Sequence, residues 1–462
     1  MHAFDSIAGI SAQIANGTLT SAQIVEEFLG RIQRFDQKLH ALVAVYADEA
    51  RAAAKAADEA IASGHRIGPL HGIPIALKDL VDMEGRITTG GSAIWRDRVS
   101  PSTAVLAKRL MAAGMIVLGK THTVEFAMGG WGTNEHMGTS WNPWDSETHR
   151  IPGGSSAGSG VSVAAGLTPC AIGTDTGGSV RLPAAFCGHV GLKVTIGRIP
   201  TLGVLPLSHT LDTPGPMTRT VEDAALLYTV LAGPDEREPR TLGLHYEDPM
   251  PSLKKGVRGM RLAAIPEADR QMCDAGMLAA YDATLAKYKE LGARVEQRKL
   301  PYLLANLGND LGKIIGSDGY YHVGDLVDDM ALPVDPSVRP RIWVGKDVSA
   351  TEYIASLRQQ QTIKAQFAKA LEGCDALLTP TSAEAAIPVS AVDQGSTPAV
   401  FTRFVNLIEG CACALPNGFS SEGMPTSFQV VCAGEEEATA LRIAWAFENA
   451  TDFGGRVPPA VA

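Results

Sequence analysis

Between Pro152 and Arg181 the sequence reads PGGSSAGSG, then an apolar stretch of small residues, then GTDTGGSVR. No other segment limits the possible folds as much. Glycines at this density let the backbone take conformations that ordinary residues avoid, and let main-chain N–H groups approach a ligand closely. Between the two runs, Ala157 to Ala165 reads as a helix packed on a sheet. Each run carries a serine with glycine neighbours, Ser155 and Ser179. A serine so placed can attack a carbonyl while nearby N–H groups hold the oxyanion that forms. It needs a base, and the upstream segment GIPIALKD offers Lys78 at the end of an apolar, strand-like run.

Other readings compete for the same residues. A phosphate-cradling loop requires G-x-x-x-x-G-K-[ST], and neither glycine run has a lysine at that place. Gly154-Ser155-Ser156-Ala157-Gly158 does fit G-x-S-x-G, the nucleophile elbow of α/β-hydrolases. That fold needs an acid and then a histidine downstream; His189, His209, His245 and His322 formally serve, so the pattern alone leaves the elbow open. The blandest alternative is that the glycines only permit tight helix–sheet packing, with Lys78 satisfying a buried carboxylate.

The wider sequence resembles the amidase signature family. The resemblance is carried by GGSSAGSGVSVAAGLTPCAIGTDTGGSVRLPAAFCGHVGLKVTIGRIP and by PLHGIPIALKDLVDMEGRITTGGS. It continues in AVLAKRLMAAGMIVLGKTHTVEFAMGG, NPWD, LDTPGPMTRTVEDAALL, DALLTPTS, FTRFVNL and GMPTSFQVV. It covers nearly the whole chain, in order, and is weakest between about 233 and 373.

The resemblance implies a triad of Lys78, Ser155 and Ser179, with Ser179 as nucleophile and Ser155 as the serine that follows a cis peptide bond and bridges to the lysine. It implies an oxyanion hole from the N–H groups of Thr176, Gly177, Gly178 and Ser179. Such a lysine must be neutral to accept a proton, although an exposed one has a pKa of about 10.4. Burial among residues such as Ile73, Ile75, Ala76 and Leu77 lowers that value. Asp79 opposes the shift only if it shares a face with Lys78, and neighbours on a strand point to opposite faces. Around this centre Ser156 is expected to orient Lys78 or cap a helix, and Asp175 and Arg181 to pair and hold the turn. Ala127, Met128, Gly129, Gly130 and Trp131 match the acyl-pocket loop of relatives, and Trp343 is a further pocket candidate. No metal or organic cofactor is required.

Composition agrees with a large enzyme. The chain has 462 residues, with 50 acidic against 40 basic side chains and a formal charge of −10. It lacks the basic stripe that binds nucleic-acid phosphates. Seven cysteines form no disulfide framework, and Cys411-Ala412-Cys413 has no companion pair at zinc spacing. Reduced thiols suit a reducing compartment, and neither a signal peptide nor a membrane span is recognisable. A cytoplasmic monomer or homodimer acting on a small molecule is therefore expected, without nucleic-acid or membrane partners.

The expected fold is α/β: a large mixed, mostly parallel sheet with helices on both faces. A single domain over 1–462 is expected, its family-matching core at about 65–232 and 374–432 and a variable excursion at 233–373. Thr20 is expected to cap a helix whose inner face carries Ile24, Val25, Phe28, Leu29 and Ile32. Segments 233–260 and 327–350, rich in Pro, Gly and charge, are expected to run over the surface and around the pocket mouth.

The family cleaves amides, anilides, carbamates, ureas and some esters. The leading expectation is hydrolysis of a small, largely apolar amide, anilide or carbamate through an acyl-enzyme. The alternatives are an esterase or urea-derivative hydrolase of the same family, or the A-type component of a glutamine-dependent amidotransferase. The amidotransferase relatives hold glutamine's amino group with an acid seven positions before the asparagine matching Asn406; here that position is Ala399. In Asn406-Leu407-Ile408-Glu409-Gly410-Cys411-Ala412 a glutamate and a cysteine replace a small residue and a proline, so an unusual backbone or pocket shape is expected there. A non-enzymatic scaffold is disfavoured by the intact triad.

Overall fold

The computed structural model describes residues 2–462. Among them eleven strands form one sheet: β1 (Leu42–Val45), β2 (Pro74–Lys78), β3 (Ile116–Thr121), β4 (Cys170–Asp175), β5 (Val190–Lys193), β6 (Thr213–Thr218), β7 (Arg261–Ala264), β8 (Arg294–Gln297), β9 (Ala376–Pro380), β10 (Cys411–Phe419) and β11 (Pro425–Cys432). Their spatial order is β1-β3-β2-β4-β6-β5-β10-β11-β9-β7-β8.

The large mixed sheet is as expected, but its parallel part is smaller than the sequence suggests. Parallel pairing joins β3-β2-β4 and β9-β7-β8, whereas the centre, β4-β6-β5-β10-β11-β9, is antiparallel. Apolar runs buried on both faces look alike in either direction, so hydrophobicity cannot reveal strand sense. Both faces are covered. In β11, Phe428 meets Tyr288 and Phe447 on one side, while the adjacent Gln429 accepts a bond from Arg181 on the other.

Helix boundaries follow local chemistry. At Ser21–Leu39 the Thr20 hydroxyl accepts from Gln23 N while the Gln23 side chain accepts from Thr20 N, a reciprocal capping box. Ile24, Val25, Phe28, Leu29 and Ile32 form its buried face. The helix Val105–Ala112 starts after Ala104, whose non-helical backbone (φ −56°, ψ 146°) follows the bend at Pro101 and Ser102. The excursion is not merely irregular: it contains helices Gly308–Asp328 and Arg339–Asp347. Pro340 in the first turn of the latter gives up an N–H that has no helical partner there. No helix among the described residues is long and apolar enough to cross a membrane. The seven cysteines are free thiols.

Candidate functional site

Strands β2 and β4 lie side by side and parallel, so their carboxyl ends open at the same edge. Lys78 is the last residue of β2, and β4 ends at Asp175, leading into Thr176-Gly177-Gly178-Ser179. The helix Ala157–Ala164 packs beneath, preceded by Gly154 and Ser155. This is the usual place for ligands in open α/β sheets, outside the carboxyl ends of neighbouring strands.

The Lys78 ammonium is fully buried and donates to Ser155 Oγ at 2.7 Å and Thr174 Oγ1 at 2.8 Å. Burial pushes its pKa down to about 7, against the pull of Asp212 and Asp175. Asp79 turns to the opposite face, where it pairs with the buried Lys120 at 3.1 Å and accepts from Thr89. The ordinary role of a buried lysine, neutralising a carboxylate, is thus filled by Lys120 and not by Lys78. The Gly154–Ser155 peptide is cis. Ser155 itself lies under the surface, whereas Ser179 borders a cavity of about 560 Å³.

Two expectations about neighbouring groups need correcting. Ser156 neither touches Lys78 nor caps the helix with its side chain. Its hydroxyl instead donates to the Thr174 carbonyl at 3.3 Å and accepts from Thr174 N at 3.2 Å, pinning the strand that presents Thr174 Oγ1 to Lys78. This also removes Ser156 as an elbow nucleophile, since no histidine bonds it among the described residues; His189 Nδ1 is engaged with the Val190 carbonyl. Second, Gly178 does not offer its N–H to a ligand, because that N–H donates to Asp175 Oδ1 at 2.8 Å. The N–H groups of Thr176, Gly177 and Ser179 have no protein acceptor among the described residues, and these three residues face the cavity.

The loop's shape is set from several sides. Asp175 takes Arg181 through both oxygens at 3.0 Å, and Asn406 bridges the pair, donating to Asp175 Oδ1 at 3.0 Å and accepting from Arg181 Nη2 at 2.8 Å. Burial alone would raise the Asp175 pKa, but Arg181, Lys193 and Asn406 hold it well below the usual carboxylate range. Asp212 accepts from Thr176 Oγ1 and from the N–H groups of Leu207 and Ser208. Thr402 Oγ1 donates to the Gly177 carbonyl at 2.7 Å, fixing that oxygen's position. A Cβ at Gly178, whose φ is +136°, would sit 2.3 Å from Thr402 Oγ1. Gly178→Ala is therefore expected to destabilise the protein by about 2 kcal/mol or more. A thermal melt with an unchanged midpoint would show that the approach is not tight.

The cavity walls come from distant segments. Ala127, Met128, Gly129 and Gly130 line it as expected. Trp131 does not: it is buried against Ile151, Leu182 and Phe186, its indole donating to the Ser396 carbonyl at 3.2 Å. Trp343 also points elsewhere, donating to Asp328. The excursion contributes Ile315, Pro340 and Arg341, and the segment before Asn406 contributes Ala399 and Arg403. No carboxylate lines the cavity among the described residues. The altered stretch after Asn406 lies outside it: Glu409 takes a left-handed φ of 55° and pairs with Lys364. Arg341 and Arg403 escape sequence reasoning because nothing local separates a pocket arginine from a surface one.

Known proteins resemble this chain over nearly its whole length. The profile of the family described as Amidase matches residues 23–441. The A-type component of the glutamyl-tRNA(Gln) amidotransferase of Thioalkalivibrio sulfidiphilus (strain HL-EbGR7) is 36% identical over 480 residues, covering 98% of each chain. The native peptide amidase from Stenotrophomonas maltophilia superposes with a TM-score of 0.89 at 26% identity, over 100% of this chain and 99% of that one. A chain from a vestigial protein complex tied to the evolutionary origins of an s-triazine catabolic enzyme gives 0.90 at 30% identity, over 96% and 98%.

Proposed function

The chain belongs to the amidase signature family of enzymes, and on that premise we propose that it hydrolyses a C–N bond of a small amide, anilide or carbamate without a partner protein. The observation that carries this reading is the buried Lys78–Ser155 hydrogen bond beside a cavity that Ser179 borders and that no carboxylate among the described residues lines.

In this mechanism Ser179 Oγ attacks the substrate carbonyl while its proton passes through Ser155 to neutral Lys78. The free N–H groups of Thr176, Gly177 and Ser179 hold the oxyanion. Lys78 returns the proton by way of Ser155 to the departing nitrogen, which otherwise leaves poorly as an anion. Water, deprotonated by the same relay, then attacks the acyl–Ser179 ester, releasing the acid and restoring the serine. Ser-Lys arrangements are an accepted variant of the serine triad.

The substrate class rests on what the cavity lacks. Glutamine's ammonium needs an acceptor or a counter-charge, and Ala399 supplies neither where the amidotransferase relatives carry an acid. Met128, Leu182, Leu207 and Ile315 instead offer apolar wall, worth roughly 25 cal/mol per Å² of apolar surface covered. A second reading, the A-type component of a glutamine-dependent amidotransferase, is favoured by the similarity to the Thioalkalivibrio protein over the full length. The two part on one experiment. The purified chain alone is assayed against benzamide, an acyl anilide, an aryl carbamate and glutamine. Turnover of at least one of the first three, with none of glutamine, is expected. Glutaminase activity, or activity that appears only with a second protein, overturns the stand-alone reading.

A further inference from the structure

Arg403 reaches into the cavity from the start of the short helix Arg403–Leu407, just ahead of Asn406. Its stem passes over the nucleophile loop: Cγ lies 3.6 Å from where a Gly177 Cβ would stand. Its Nη1 comes within 3.2 Å of the corresponding point on Gly308, at the start of the helix that forms the far wall. Among the described residues its guanidinium has neither a hydrogen bond nor a carboxylate partner. Two of the most deeply buried arginines show what full satisfaction looks like. Arg181 is taken by Asp175, Gln429 and Asn406, and Arg339 by three carbonyls.

Arg341 stands in the same cavity, tied on one side to the Met128 carbonyl at 3.1 Å and on the other to Gln394 at 2.8 Å. It too has no ion pair among the described residues; the acid that acts on it, Asp335, accepts from Glu135 N, Ser337 N and the Ser337 hydroxyl. Burial lowers the Arg403 pKa and the neighbouring Arg341 lowers it further, so the two cations are held together without an intervening anion. Arg403 is half-buried, and drawing a charge part of the way out of water with no partner is costly. A planar guanidinium fits a carboxylate through two parallel N–H···O bonds.

We propose that Arg403 is a specificity-determining residue that binds a carboxylate on the substrate, so that the favoured substrate is an acidic amide or carbamate with an apolar middle and no ammonium. This rests on the proposed hydrolysis for its meaning but not for its test. Ligand binding is measured by calorimetry on the Ser179→Ala protein, which removes turnover. Three probes are compared: glutaramate, with the carboxylate on the acyl side; N-pentanoylglycine, with it on the nitrogen side; and neutral pentanamide.

At least one of the two acids is expected to bind about tenfold or more tighter than pentanamide, as a charge-assisted bidentate contact provides. Arg403→Gln should erase that preference while leaving pentanamide binding unchanged, and Arg403→Lys should restore part of it. Should Arg403→Gln fail to fold, the intact arginine is tested by salt: acid binding should weaken as ionic strength rises, and pentanamide binding should not. Equal affinity for acids and pentanamide, or an Arg403→Gln loss shared equally by all three, overturns the proposal. Preference for an acid together with hydrolysis only of glutamine, or only with a second protein, keeps Arg403 as a carboxylate site and sinks the stand-alone hydrolase.

Discussion

Ser179→Ala is expected to abolish both turnover and labelling by a serine-reactive fluorophosphonate, with kcat falling about 10⁴-fold or more, as when the nucleophile of a relay is removed. The reason is positional. Ser179 is the one triad hydroxyl on the cavity wall, flanked by three N–H groups without protein acceptors. Ser155 lies below it, already engaged by Lys78. Ser156 is committed to both backbone groups of Thr174. Peptide mapping of the labelled protein should therefore place the phosphonate on Ser179 alone. Label on Ser156, with Ser179→Ala still active, would restore the elbow reading and discard the relay.

The same geometry explains what is readable from sequence and what is not. Lys78, Ser155 and Ser179 can be named because each sits in a contiguous motif whose glycines or apolar run fix the local backbone. The alternation of faces along β2 correctly separates Lys78 from Asp79, since a strand puts consecutive side chains on opposite sides. Two errors come from treating neighbours in sequence as neighbours in space. Ser156 is adjacent to Ser155, yet the lysine's second acceptor is Thr174, delivered by the parallel strand β4. Trp131 follows the pocket loop Ala127 to Gly130, yet the chain turns it into a separate apolar cluster.

The groups that sequence reasoning misses all arrive from a distance. Asn406, Thr402, Asp212, Arg341 and Arg403 meet around residues 175–179 only because the sheet order sets β10 and β6 near β4 and folds the excursion over its edge. No local pattern signals such meetings. Ala399 is the exception, legible because a missing acid at a motif position is a chemical statement in itself. The strand directions at the sheet centre are illegible for a different reason. Strands buried on both faces show no inside–outside alternation, and so no record in sequence of which way their neighbours run.

Lys78 is the residue whose loss should change the pH dependence as well as the rate. With its pKa pushed down to about 7, the amine is neutral above that pH and charged below it. A charged Lys78 cannot take the Ser155 proton, so kcat/KM should fall as pH drops through about 7 and level off above it. The acid limb belongs to the free enzyme's base, because kcat/KM reports groups of the unliganded protein. Lys78→Ala removes the base and, with it, the cause of the limb. Turnover should drop by about 10²–10⁴-fold, the typical contribution of general base catalysis. The residual rate should climb with hydroxide across the neutral range instead of levelling off. The side chain is buried, so the alanine variant also leaves a cavity under Ser155. Lys78→Met, which fills the space without the amine, separates the two effects: it should lose activity like the alanine form while melting nearer the parent. Near-parent turnover in either variant at neutral pH, or an acid limb that persists without the amine, would sink Lys78 as the base. Asp212, a buried carboxylate that acts on Lys78 and accepts from Thr176 Oγ1, would then be the next residue to test.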